Sequence, residues 1–302
     1  MTSLKQDVRC DGMDLPALPT MLLRSVPTML FRKGPEQEPV DIELNFQAPA
    51  IDRVHLAKYC QAFAHFKSPV PLTYFYLLAQ RAHLAAMLSP EFPWPILGMV
   101  HVANTMEYHQ APEFGKPLEL RVQIEMPERA ATRKRVRPVY RVSFYQAQQL
   151  LVECISTYQV GAGEPPVRGR RREVPAPELA GFSRTDLWQL DSQLGRSYAH
   201  LSGDYNPIHL HPWLSRWFGF SRPIIHGMYS VARAQADIEM VLQAPVTAID
   251  IAFRRPLILP ADASCYYRLD ANSEGKLVVT DPKATKAYLD GSFKVASDFD
   301  FK

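Results

Sequence analysis

Apolar and polar positions fall into two long stretches built on one plan. In the second half, Leu194, Tyr198 and Leu201 recur at helical spacing, and Asp191 stands where it would cap that short helix. A longer helix is expected from about His226, with Met228, Val231, Ala232 and Ile238 on its apolar side. The period then drops to two. Ile249, Ile251 and Phe253 point one way, and Asp250 and Arg254 the other. Ala263, Cys265, Tyr267 and Leu269 share a face of the next strand, and β-rich runs near 275–280 and 284–295 complete the half.

The first half repeats this order. Residues 54–66 read as a short helix and 72–88 as a longer, strongly apolar one. Alternation follows at Val100, Val102, Met106 and Tyr108, then at Leu118, Leu120, Val122 and Ile124, with strands over 139–146 and 150–160. Leu120 and Cys265 are separated by 265 − 120 = 145 residues with the alternation in phase. A long apolar helix followed by antiparallel strands predicts an α+β fold in which a curved sheet wraps a helix. Breakers and charge without apolar period, from Gly161 to Pro177, mark a linker over 161–180. The expected division is an extension over 1–40, one unit over 41–160 and a second over 181–302.

One turn carries chemistry. Tyr198-Ala199-His200-Leu201-Ser202-Gly203-Asp204-Tyr205-Asn206-Pro207-Ile208-His209 sets a carboxylate and an imidazole five positions apart. Pro207 lacks an N–H and disfavours helix in the residue before it, and Gly203 lets the chain bend beside Asp204. Two proton-transfer groups on such a turn can face one small volume, as general acid–base chemistry requires.

This stretch closely resembles the signature of the MaoC-like, (R)-specific enoyl-thioester hydratases, in which Tyr precedes Leu-Ser-Gly-Asp-x-Asn-Pro-Ile-His and a small residue follows, here Ser215. Arg222-Pro223-Ile224-Ile225-His226-Gly227-Met228 resembles the family's Pro-x-x-His-Gly-Met. One departure is visible: His211 stands where the family often has Asp. The resemblance covers roughly residues 183–295 and implies a tandem, double hotdog fold. It also implies reversible hydration of trans-2-enoyl thioesters to (R)-3-hydroxyacyl thioesters by a hydro-lyase that needs no cofactor. Asp204 and His209 would be the catalytic pair, and the backbone N–H of Gly227 would receive charge on the thioester oxygen.

Tyr198, Ser202, Gly203, Asn206 and Pro207 are expected to be scaffold, the Asn206 side chain bonding its own turn. His226 is a candidate substrate contact. His200, Asp204, His209, His211 and His226 are crowded enough to raise a metal site, but their spacing is not that of a helical zinc motif, and no metal is expected. The first half has Lys67-Ser68-Pro69-Val70-Pro71 before its long helix and no Asp-x-Asn-Pro-x-His. It should therefore be a degenerate hotdog that supplies wall and acyl pocket. Fused hotdogs can also pair their sheet edges within one chain, whether the protein is a monomer or a homodimer.

The remaining composition narrows the class. Across 302 residues the net charge is +3, too small to make nucleic acid a principal partner. Arginines cluster at 129–137 and 168–172. Arg133 and Arg135 are candidate contacts for coenzyme A phosphates or an acidic acyl carrier protein, against the plainer alternative of a solvated face. Four scattered cysteines fit reduced thiols and a cytoplasmic setting. No apolar run reaches the ~18–20 residues that span a bilayer, and no secretory signal is expected. The near-repeat of Pro19–Arg24 at Pro27–Arg32 is expected to lay apolar side chains on the body, with contact at a membrane surface as the alternative. Two other functions remain open at this stage: a hotdog acyl-thioesterase, and a non-catalytic acyl-thioester-binding subunit.

Overall fold

The computed structural model describes residues 13–128, 130–132, 135–160 and 175–296. The elements run β1 (Met13–Asp14), α1 (Leu18–Ser25), α2 (Thr28–Phe31), β2 (Ile42–Ala48), α3 (Arg53–Phe63), α4 (Leu72–Met87), β3 (Val100–Tyr108), β4 (Leu118–Glu125), β5 (Val139–Gln146) and β6 (Gln149–Gln159). The second half follows with β7 (Ser183–Leu190), α5 (Leu194–Ser202), α6 (Pro212–Trp217), α7 (Gly227–Leu242), β8 (Val246–Phe253), β9 (Ala261–Leu269), β10 (Glu274–Thr280) and β11 (Ala287–Val295).

All eleven strands join one sheet in the order β1-β2-β4-β5-β6-β3-β8-β11-β10-β9-β7. The seam between halves is the antiparallel pair β3–β8, from Ala103 opposite Ala252 to Glu107 opposite Ala248, so each half closes the other's edge as expected. Thr105 Oγ1 donates to Asp250 Oδ1 across it at 2.9 Å.

Each half-sheet packs on one helix. Most residues of α4 and α7 are buried, the polar Gln235, Asp237 and Glu239 of α7 included. The two helices occupy equivalent places, so residues at equal positions along them can be compared. Gln80 and Gln235 are both ninth, and Leu84 and Glu239 both thirteenth.

Glu239 is fully buried and accepts five bonds: the N–H groups of Lys67 (2.6 Å), Ser68 (2.9 Å) and Val246 (3.0 Å), the Ser68 hydroxyl (2.7 Å) and the Gln235 amide (2.8 Å). Gln235 Oε1 in turn accepts from the Thr73 hydroxyl at 2.9 Å and from the Thr73 N–H, in the first turn of α4, at 3.3 Å. Side chains of the second half thus fill the N-terminus of the first half's central helix.

Four sequence expectations need correction. The helix expected over 54–66 is α3: Asp52 Oδ1 caps it by accepting from Val54 and His55, and Ala64 at φ 57° ends it early. β2 and β7 were not anticipated. β7 in particular lies at a sheet edge and shows apolar alternation only at Trp188 and Leu190. The N-cap of α5 is Gln193, and Asp191 instead accepts from the Gln193 N–H at 2.6 Å in the preceding turn. In β3 a register shift between His101 and Ala103 breaks the alternation, exposing Val100 and turning the His101 ring inward. The expected linker lies outside the described residues over 161–174.

The N-terminal extension is a strap along α4. Leu15 N–H bonds Gln47 O, and the Arg81 guanidinium holds the carbonyls of Leu15 and Pro16. The Ile96 N–H donates to Thr28 Oγ1, and Arg32 donates to the carbonyls of Met87 and Ser89 at the end of α4. Met21 is buried while its counterpart in the near-repeat, Met29, is 48% exposed, so the two copies do different things.

Candidate active site

α5 ends because Gly203 adopts φ 77° and closes the helix through its N–H to Ala199 O. Ser202 Oγ donates to Tyr198 O and accepts from the Asp204 N–H at 3.2 Å, aiming the chain out of the helix. Asp204 Oδ1 then accepts from the Asn206 N–H at 3.1 Å, and Asn206 Oδ1 from the Ile208 N–H at 3.4 Å. These Asx bonds, with Pro207, set up the 3₁₀ turn Pro207–His209.

The segment before α7 clasps this turn. Ile224 donates its N–H to Ile208 O, and its carbonyl lies 2.8 Å from His209 Nδ1. A carbonyl can only accept, so Nδ1 carries the proton and Nε2 keeps a lone pair. His226 Nε2 donates to Asp204 O at 2.9 Å and lies 3.9 Å from Asp204 Oδ2. The His209 and His226 rings stack at 3.6 Å, and Tyr198 meets His226 edge-on at 4.9 Å. Gly195 makes this approach feasible, since a Cβ there would lie 2.3 Å from the His209 carbonyl oxygen.

Burial and the neighbouring His226 bring His209 down to about 3. Burial alone would raise the Asp204 carboxyl. It is outweighed by His226 and His209, by the Gln80 side chain and by the Asn206 N–H, which together hold Asp204 below its ordinary value. The pair at neutral pH is therefore carboxylate and neutral imidazole.

Both face a cavity of about 440 Å³ between the halves. Gly227 opens α7 on its wall, where the first-turn N–H groups of a helix have no partner within the helix. A Cβ on Gly227 would meet the Phe253 ring at 2.7 Å, so the residue is also needed for packing. Whereas Gln235 and Glu239 fill the start of α4, the matching Gln80 and Leu84 leave the start of α7 open to the cavity.

Of the five crowded metal-type residues, three converge: Asp204, His209 and His226 each bring a ligand-type atom within 4.8 Å of the others. His226 Nε2, donating to a carbonyl, has no lone pair to offer a cation, which leaves Nδ1 as that ring's acceptor. His200 is exposed and bonds the Tyr205 hydroxyl. His211 caps α6 by accepting from the Trp213 N–H, the service an Asp would render there, so the departure from the family pattern is absorbed locally. Arg133 lies outside the described residues; Arg135 is exposed and away from the cavity.

The motif gave no hint of the first-half and arginine residues on this wall. Tyr76, Gln80, His101 and Tyr158 face the catalytic turn, with the Tyr76 hydroxyl 2.8 Å from that of Tyr158 and 3.3 Å from His101 Nδ1. Among the described residues, Arg254 and Arg255 are the cations on the cavity; Arg254 is paired with Asp290. The one usable signal was a polar Gln80 within a mostly apolar helix.

The architecture and the turn have counterparts. A family model described as MaoC like domain matches residues 183–278. The 3-hydroxyacyl-thioester dehydratase X of Mycobacterium tuberculosis is 26% identical over 259 residues, 79% of this chain and 83% of that protein. The crystal structure of HtdX from the same organism is similar with a TM-score of 0.67 at 22% identity, covering 84% of this chain and 100% of the other. Another M. tuberculosis protein, described as having a double hotdog fold, matches with a TM-score of 0.54 at 12% identity over 87% and 99% of the chains. Residues 183–278 thus form a MaoC-like domain, carried within a double hotdog.

Proposed function

We propose that this protein reversibly hydrates trans-2-enoyl thioesters to (R)-3-hydroxyacyl thioesters. The observation that carries the reading is the convergence of an ionised Asp204, a neutral His209 with Nε2 free, and the open N-terminus of α7 on one cavity. Asp204 accepts a bond from a water and orients it. The water oxygen bonds to C3 while His209 Nε2 takes its proton. The C2–C3 π electrons move to the thioester oxygen, which the Gly227 N–H receives. As the carbonyl re-forms, C2 takes the proton from His209, so the elements of one water are added and the enzyme is restored. Asp204 stabilises the imidazolium between the two steps.

The first half contributes Gln80 at Asp204 and the wall of the acyl pocket. The thioester carrier, coenzyme A or an acyl carrier protein, would leave past Arg254 and Arg255. A direct test follows trans-2-enoyl-coenzyme A by its conjugated absorbance alongside free thiol. Loss of absorbance without thiol release supports hydration; stoichiometric thiol release would identify a thioesterase and overturn the reading.

Two further outcomes are expected. A base already neutral far below the ordinary imidazole value of 6.5 should give kcat/KM that is flat between about pH 5.5 and 7.5. Because protonated His209 cannot accept the water proton, activity falls only as pH approaches the lowered value; a fall centred near 6.5 would contradict this. Gly195→Ala should push the His209 carbonyl aside and lower kcat by about 10²-fold with the helix content kept. Wild-type kcat in the folded variant would show that the turn tolerates the shift.

A further inference from the structure

The extension before the first hotdog does more than brace α4. α1 lays Leu18 against the catalytic loop, where its Cδ1 would lie 2.9 Å from a Cβ on Gly203, the residue before Asp204. Leu22 follows at i+4, one turn along the same face, and both leucines line the cavity that holds Asp204 and His209. Leu84 and Met87 of α4 and Ile96 from the loop before β3 line the same cavity. The strap is fastened beyond this point by the Thr28–Ile96 bond and by Arg32 on the end of α4. The part of the wall built by Leu18, Leu22, Leu84, Met87 and Ile96 is apolar, and α1 packs on α4 there, whereas Arg254 and Arg255 put charge on the wall elsewhere.

We infer that α1 forms the outer wall of the acyl tunnel and that Leu22, with Met87 and Ile96, sets the longest straight acyl chain the protein accepts. Its substrates are thus thioesters of extended aliphatic acids rather than of short or strongly polar ones. This rests on the proposed reaction for the identity of the ligand, but its test does not depend on turnover. Saturated acyl thioesters have no double bond to hydrate, so their binding reports the tunnel alone.

Affinity of the full-length protein for saturated acyl-coenzyme A, from butanoyl to hexadecanoyl, is measured by titration calorimetry. The wild type should gain about fourfold per added CH₂ and then reach a limit. Leu22→Trp should move that limit to shorter chains and Leu22→Ala to longer ones, with Met87→Ala as a second enlarging variant; circular dichroism reports that each remains folded. Affinity independent of length, no binding at all, or one limit shared by every folded variant would overturn the inference. A limit that shifts as described, in a protein that hydrates no enoyl thioester, would leave the tunnel standing and overturn the proposed reaction instead.

Discussion

His209→Ala lowers the hydration rate ~10²-fold or more, and Asp204→Asn does the same, while both proteins remain folded. That loss is the size seen when a positioned acid–base group is removed, about 3 kcal/mol of transition-state stabilisation. In the alanine variant the Nε2 that takes the water proton is gone, and the Nε2 of the neighbouring His226 already carries a proton donated to Asp204 O. Asp204→Asn keeps the backbone carbonyl that His226 holds and the approximate shape of the side chain. It removes the charge that orients the water and stabilises the imidazolium. Steady-state kinetics beside a circular dichroism spectrum make the check, and near-normal turnover in either folded variant would remove that residue from the mechanism.

The second large effect is on stability. Glu239→Ala should lower the unfolding free energy by about 3 kcal/mol or more. It strands the buried N–H groups of Ser68 and Val246 and the Ser68 hydroxyl, each worth about 1–3 kcal/mol when unpaired, and removes the partner of the part-buried Lys67 N–H. For a chain of 302 residues that is a fall in Tm of roughly 5 °C. Glu239→Gln keeps one acceptor oxygen and should lose less. Scanning calorimetry of the three proteins gives the order, and a Tm for Glu239→Ala within about 1 °C of wild type would contradict the network's importance.

The same network explains why one chain has one candidate site. At the thirteenth position of each central helix the second half carries Glu239 and the first carries Leu84. The carboxylate secures the 67–73 segment over the start of α4; the leucine leaves the start of α7 free and becomes wall.

How much of this was legible in the chain differs by element. The two central helices stood out because apolar residues recur at helical spacing over 16 residues in each, and their starts at Leu72 and Gly227 agree closely with the pattern. β7 was hidden because an edge strand half open to solvent need not alternate apolar residues. The catalytic turn was legible because its geometry is local: Gly203, Asn206 and Pro207 shape it within a few residues of the groups they aim. Gln80, His101, Arg254 and Arg255 were not, because they reach the cavity only through the packing of one half on the other, and at His101 through a bulge that reverses the alternation. Arg133 and Arg135 drew notice as charge, and charge alone does not say what a basic run faces.

The most direct test of the reaction is chiral analysis of the product formed from trans-2-enoyl-coenzyme A, or from the matching carrier-protein thioester, with His209→Ala run beside the wild type. The account predicts the (R)-3-hydroxyacyl thioester from the wild type and almost none from the variant. A product of (S) configuration, or no 3-hydroxyacyl thioester from either carrier, would contradict it.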